Sequence, residues 1–257
     1  MNTHTVPGAE FSYHDLGVSL IAPRILDEKR VRQPQARVIV LPDWQGGHTH
    51  YATRMAMLFG DALQAETLIF NQYPPGVQPK AYIGDGDGRV AQLLGHLDRF
   101  RTLLRMVVAR SAAHWTTNGT PLILLGFCFG GTAAFEAARA DDTIDIAFSI
   151  HGTPVIDPAR MRRPGPGASM HYIGGGDDGL VPEWSVSAFR EEIAQDGIFG
   201  SLQLLPGQGH SFTKKEIGAV GPMSRYSAPA LFETVERTKS IVASETSFFQ
   251  SNTDGDS

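Results

Sequence analysis

The chain predicts an α/β protein, a mostly parallel twisted sheet with helices on both faces, from three observations. Short aliphatic runs recur from Arg37-Val38-Ile39-Val40-Leu41 to Leu202-Gln203-Leu204-Leu205. Between them, apolar residues fall at helical spacing. Several of the runs end in Gly-, Pro- or Asp-rich segments, and the carboxyl ends of parallel strands are where α/β sites form.

In chain order, Glu10 to Ala22 reads as a leading strand and Arg24 to Gln35 as a charged loop closed by Pro34. Ala36 to Leu41 is β-branched, short and apolar throughout, as a strand covered on both faces must be. It ends at Pro42-Asp43-Trp44-Gln45-Gly46-Gly47. Met55, Leu58, Phe59 and Leu63 place a helix over Tyr51 to Leu63, and Thr67 to Phe70 is the next strand. Gly84-Asp85-Gly86-Asp87-Gly88 breaks the chain before one long helix from Val90 to Val107, with Asp87 as its cap. Pro121 to Leu125 is a strand, and a helix runs through Ala133, Phe135 and Ala137. Ile144 to Ile150, Ser169 to Ile173 and Leu202 to Leu205 follow as strands, with helices from Pro182 to Ala194 and Pro229 to Ala243.

With 257 residues and 42% hydrophobic content, the chain can bury one full core. The expectation is a single domain over residues 1–250 and a polar, disordered tail over 251–257. A net charge of -5 with scattered Lys and Arg leaves no stripe for nucleic acid or an anionic membrane. The start, Met1 to Gly8, lacks the pattern of a signal peptide, and no apolar stretch approaches membrane-spanning length. One cysteine makes no internal disulfide and keeps its thiol best in a reducing compartment, so a cytoplasmic monomer or small homo-oligomer is expected.

That cysteine, Cys128, sits in Gly126-Phe127-Cys128-Phe129-Gly130-Gly131 directly after an apolar strand. A strand-to-helix elbow exposes a nucleophile there, and glycines allow the tight turn and close helix packing. Thiolate is the reactive form, favoured by a helix N-terminus and a nearby imidazole. A base and an orienting carboxylate stand in later loops. Gly176-Asp177-Asp178-Gly179-Leu180-Val181-Pro182 follows one strand, and Gly209-His210-Ser211-Phe212 follows the last.

These residues resemble the dienelactone hydrolase family of the α/β-hydrolase superfamily. The family's Gly-x-Cys-x-Gly-Gly elbow matches Gly126 to Gly131, its Asp-x-x-Val-Pro matches Asp178 to Pro182, and its histidine motif matches Gly209 to Phe212. The resemblance implies Cys128 as nucleophile, His210 as base and Asp178 as orienting acid, with Asp177 one position out of register. The oxyanion hole is expected at the backbone N–H groups of Phe129 and Trp44. Asp43 aligns with a family glutamate that contacts the resting thiol and is one methylene shorter. Lys214 stands where the family places an arginine for a substrate carboxylate, and Arg89 is the candidate for a second such group. Asn71-Gln72-Tyr73 departs from the family's Pro-Asp-Leu, so that wall of the pocket is expected to differ.

Plainer readings stand beside these. A lone cysteine is often a small buried hydrophobe, and Asp178 can simply cap the helix after Pro182. His48-Thr49-His50 has no third ligand at supporting spacing, and Asp85 and Asp87 lack the rest of a calcium loop. Arg160, Arg162 and Arg163 read as a solvated loop rather than an anion site. The expected function is hydrolysis of a small ester or lactone, needing no cofactor and no metal, and Lys214, Arg89 and the Arg160 to Arg163 cluster point toward a carboxylate-bearing substrate. The alternative is a ligand-binding or redox-responsive thiol protein on the same fold.

Overall fold

The computed structural model of the chain describes residues 19–21, 34–73, 90–91, 93–116, 119–161, 167–195, 197–217 and 225–253. In these, the strands are β1 (Ser19–Ile21), β2 (Ala36–Leu41), β3 (Ala65–Asn71), β4 (Leu122–Phe127), β5 (Ile146–Ile150), β6 (Ser169–Gly175) and β7 (Gly200–Leu205). The helices are α1 (His50–Ala62), α2 (Leu97–Ser111), α3 (Phe129–Ala138), α4 (Glu183–Ile193) and α5 (Ala228–Thr253). The strands join one sheet in the order β1-β3-β2-β4-β5-β6-β7. β1 runs antiparallel to β3, and every other pairing is parallel.

Two buried clusters flank the sheet, and the two-residue period of the strands divides them. Ile39 and Leu41 of β2 and Leu122 and Leu124 of β4 join α2, α3 and α4 on one face. Val38, Val40, Ile123, Leu125 and Phe127 join α1 and α5 on the other. This two-sided burial is why the central strands carry no polar alternation. Helix α3 is buried at all ten positions, and its small residues let it lie close to the sheet.

β2 has β3 on one side and β4 on the other, so the strand order reverses there. The crevice between the carboxyl ends of β2 and β4 is therefore the natural ligand position of an open α/β sheet. The Pro42 to Gly47 loop and Cys128 both start from it.

Several boundaries depart from the sequence reading. β4 runs on through Gly126 and Phe127, so the strand delivers its chain directly to Cys128. The expected long helix is interrupted at His96, whose φ of -126° and ψ of 60° are not helical, and α2 starts at Leu97. The last helix continues past Ala243 to Thr253. Residues 10–18, most of the Arg24 to Gln35 loop, the Gly84 to Gly88 turn with Asp85 and Asp87, Arg89, Arg162, Arg163 and residues 254–257 lie outside the described residues. Among the described residues, no helix is long and apolar enough to cross a membrane.

A buried ion network ties α2, α3 and α4 together on one face of the sheet. Arg139 pairs with Glu136 at 2.8 Å and Glu192 at 2.6 Å, and Arg101 pairs with Glu136 at 2.7 Å. Arg139 also donates to the Pro154 carbonyl at 2.8 Å, tying the loop after β5 to α3 and α4.

Candidate active site

Cys128 occupies a strained elbow. Its φ of 54° is left-handed, a conformation that costs a non-glycine residue of order 1–3 kcal/mol. Neighbours on both sides hold it there. Its N–H donates to the Ile150 carbonyl at 3.0 Å, and its carbonyl accepts from Gly131 at 2.9 Å. A Cβ on Gly126 would stand 2.0 Å from the Gly130 carbonyl oxygen, and one on Gly130 would stand 1.9 Å from that of Leu41. These two glycines are thus required by backbone approach. α3 begins at Phe129, so the thiol lies at a helix N-terminus whose first N–H groups have no intrahelical partner.

The structure brings Cys128, His210 and Asp178 together from three loops. Cys128 Sγ lies 3.1 Å from His210 Nε2, and His210 Nδ1 lies 2.8 Å from Asp178 Oδ2. Asp178 Oδ1 accepts from the Leu180 N–H at 3.0 Å, which fixes the carboxylate. The adjacent Asp177 is exposed, and its N–H donates to the Gln208 carbonyl at 2.9 Å. That bond ties the acid loop to the histidine loop, and it leaves Asp178 as the residue whose side chain turns inward. The residue after the histidine, Ser211, is also left-handed at 56°.

His210 is held as an imidazolium. Burial pulls its pKa down, but the charge on Cys128 and the bonds to Asp178 and Cys128 outweigh burial and push it up to about 10. With both ring nitrogens protonated, it donates to sulfur on one side and to carboxylate on the other. The arrangement can therefore supply a nucleophile and a proton to one reacting group.

The loop after β2 lies against the elbow. The Leu41 and Pro42 carbonyls both stand within 2.4 Å of where a Cβ on Gly130 would be. Asn71, Gln72 and Tyr73, expected as a pocket wall, clamp this loop from β3. Gln72 Nε2 donates to the Asp43 carbonyl at 2.8 Å, Tyr73 Oη to the Trp44 carbonyl at 2.6 Å, and the Gly47 N–H to Asn71 Oδ1 at 2.9 Å. Trp44 thus lies on a clamped loop whose start packs against Gly130, and Phe129 begins the helix after Cys128.

Two expectations need correction. The side chain of Asp43 is directed to Lys214 Nζ and to the N–H of Gln45 at 3.0 Å, rather than to the thiol. Lys214, expected to receive a substrate carboxylate, is 5% exposed and donates to Asp43 Oδ2 and Gln45 Oε1. Its Nζ also lies 5.2 Å from the centre of the Tyr51 ring. A buried ammonium needs such partners, and Asp43, one methylene shorter than glutamate, provides the charge. Arg89 lies outside the described residues.

Elsewhere, Arg160 is taken by Asp98 and Asp157. Thr49 caps α1 by accepting from the Ala52 N–H at 3.1 Å, with His48 and His50 exposed beside it. Among the described residues, no group of three or more His, Cys, Asp or Glu side chains could hold a metal ion.

Sequence reading passed over three residues at this site. Tyr51 Oη lies 2.6 Å from Thr213 Oγ1, which lies 2.8 Å from Nε2 of His151. Only His151 carried a signal, as a histidine directly after the carboxyl end of a parallel strand.

A mostly parallel sheet with helices on both faces, and a strained elbow after its central strand, defines the α/β-hydrolase class. The sequence profile of the dienelactone hydrolase family matches residues 26–246. The chain belongs to the dienelactone hydrolase family and is a hydrolase of that type. Solved structures resemble it in fold. A dienelactone hydrolase-like promiscuous phosphotriesterase, P91, from metagenomic libraries is 21% identical with a TM-score of 0.72, over 82% of this chain and 87% of that one. The protein m3DLH is 20% identical with a TM-score of 0.73, over 84% and 89%. A dienelactone hydrolase from Anabaena variabilis is 18% identical with a TM-score of 0.52, over 87% and 88%. No curated protein sequence matches the chain.

Proposed function

We propose that the protein hydrolyses a small carboxylic ester or lactone through a Cys128, His210, Asp178 triad and a thioester intermediate. The observation that carries this reading is the continuous contact from Cys128 Sγ through His210 to Asp178, at 3.1 Å and 2.8 Å. The Cys128 thiolate attacks the carbonyl carbon, and the electron pair of the C=O bond moves to oxygen. The Phe129 and Trp44 N–H groups receive that oxyanion. On collapse the ester C–O bond breaks, and His210 Nε2 gives its proton to the departing alkoxide. In a lactone that alcohol stays tethered to the acyl group. Neutral His210 then takes a proton from water as the water attacks the thioester. The second tetrahedral intermediate expels the thiolate, and the thiolate–imidazolium pair is restored. Asp178 keeps the ring aimed throughout.

The pairing of Lys214 with Asp43 and Gln45 favours substrates without a carboxylate. Since P91 is described as a phosphotriesterase, neutral phosphotriesters belong in the same substrate panel.

The test is rapid mixing with an activated ester. A burst of one alcohol per protein is expected, absent in Cys128→Ala, and neutral esters should turn over at least as fast as matched acid-bearing ones. Undiminished hydrolysis by Cys128→Ala would sink the mechanism.

A further inference from the structure

His151 follows the last residue of β5, and that residue's carbonyl receives the Cys128 N–H. It is 1% exposed and left-handed at a φ of 43°. With Cys128 and Ser211, it is one of three such non-glycine residues gathered at the site. Its ring centre stands 5.3 Å from that of His210 at 65°, and 5.2 Å from that of Phe212 at 80°. Nothing in the proposed chemistry so far uses it.

The hydroxyl pair beside it anchors its ring. Burial, the largest effect, raises the Tyr51 phenol well above its ordinary pKa, so Tyr51 keeps its proton, and its Oη shares a hydrogen bond with Thr213 Oγ1. Thr213 Oγ1 shares a second hydrogen bond with His151 Nε2, which holds the ring at that nitrogen. Burial, and after it the nearby His210 charge, holds His151 neutral. A neutral ring beside an imidazolium is favourable, whereas a second cation would be repelled.

The two nitrogens of His210 are not equally held during turnover. Once the Cys128 sulfur is acylated, its bond to Nε2 is gone and the bond to Asp178 alone remains. A ring held at one nitrogen can swing about that bond, and deacylation needs Nε2 aimed at water. Contact with His151 does not depend on the state of the sulfur.

We propose that His151 is a positioning residue for His210: a ring locked by Tyr51 and Thr213 that keeps Nε2 aimed while Cys128 is acylated. This rests on the thioester reading of the site. Its signature is a split between the two half-reactions. In His151→Asn, whose side chain tolerates the left-handed backbone, the burst rate should stay within about twofold, while the steady-state rate falls about tenfold or more, as small misplacements do. His151→Phe, which keeps the ring but not its bond to Thr213, should recover only part of the loss. Thr213→Val, which cuts the lock at constant volume, should slow deacylation in the same sense, and it decides the matter if His151→Asn fails to fold. Equal loss in both half-reactions, or no loss in either, would overturn the role of His151. A wild-type protein with no Cys128-dependent burst would instead overturn the thioester reading.

Discussion

The ammonium of Lys214 and the carboxylate of Asp43 meet inside the protein, at 5% and 3% exposure, on the loop that follows β2. Neither side chain is left facing solvent as a free charge, and the pair joins the loop after β2 to the loop after β7. Those loops carry Trp44 and His210.

Removing one member of this pair strands the other charge in the interior. Lys214→Met should therefore lower stability by about 3–5 kcal/mol, and the double variant Asp43→Asn, Lys214→Met should regain most of it. Urea unfolding of the three proteins measures this. A Lys214→Met midpoint equal to wild type would show that water, not the protein, solvates the pair.

The raised pKa of His210 depends on its partners. Among the effects that raise it to about 10, the charge on Cys128 is the largest. In Cys128→Ala the imidazolium should titrate at distinctly lower pH, as read by ring-proton and nitrogen resonances. The sign for stability follows from linkage. The folded value lies above the ordinary 6.5, so the contribution of His210 is full below about pH 6.5 and is lost as pH rises toward about 10. A His210 titration unmoved by Cys128→Ala would contradict the charge pairing.

Tyr73 holds the Trp44 carbonyl at 2.6 Å and so braces the residue whose N–H is the proposed oxyanion donor. Losing an oxyanion donor outright costs about 10²–10³ in kcat, and loosening one should cost less, about tenfold in Tyr73→Phe. KM should stay within about twofold, because the proposed donor, the Trp44 N–H, meets the developing oxyanion rather than the ground-state substrate. Steady-state kinetics with one ester separates the two. A change confined to KM would place Tyr73 in substrate binding instead.

Much of the fold was legible because its signals are local. The apolar runs of β2 and β4 announce strands covered on both faces, and the motifs around Cys128, Asp178 and His210 each follow a strand within a few residues. The break at His96 was hidden because the apolar spacing on either side of it stays helical. Motif register singled out Asp178 over Asp177, and in the fold the Asp178 side chain meets His210 while Asp177 is exposed.

Composition, strand and helix periodicity, and turn chemistry were enough to specify an α/β sheet and the order of its thiol, acid and histidine. Backbone preference and burial pattern act over a few residues, so the chain alone expresses them. Partnership between distant side chains is different. Lys214 on Asp43, and His151 on Thr213 and Tyr51, join positions up to 171 residues apart, and only the folded packing chooses among the partners a buried polar group can take. The tertiary structure thus turned Lys214 from an expected substrate anchor into a neutralised internal charge, and placed a second histidine against the first.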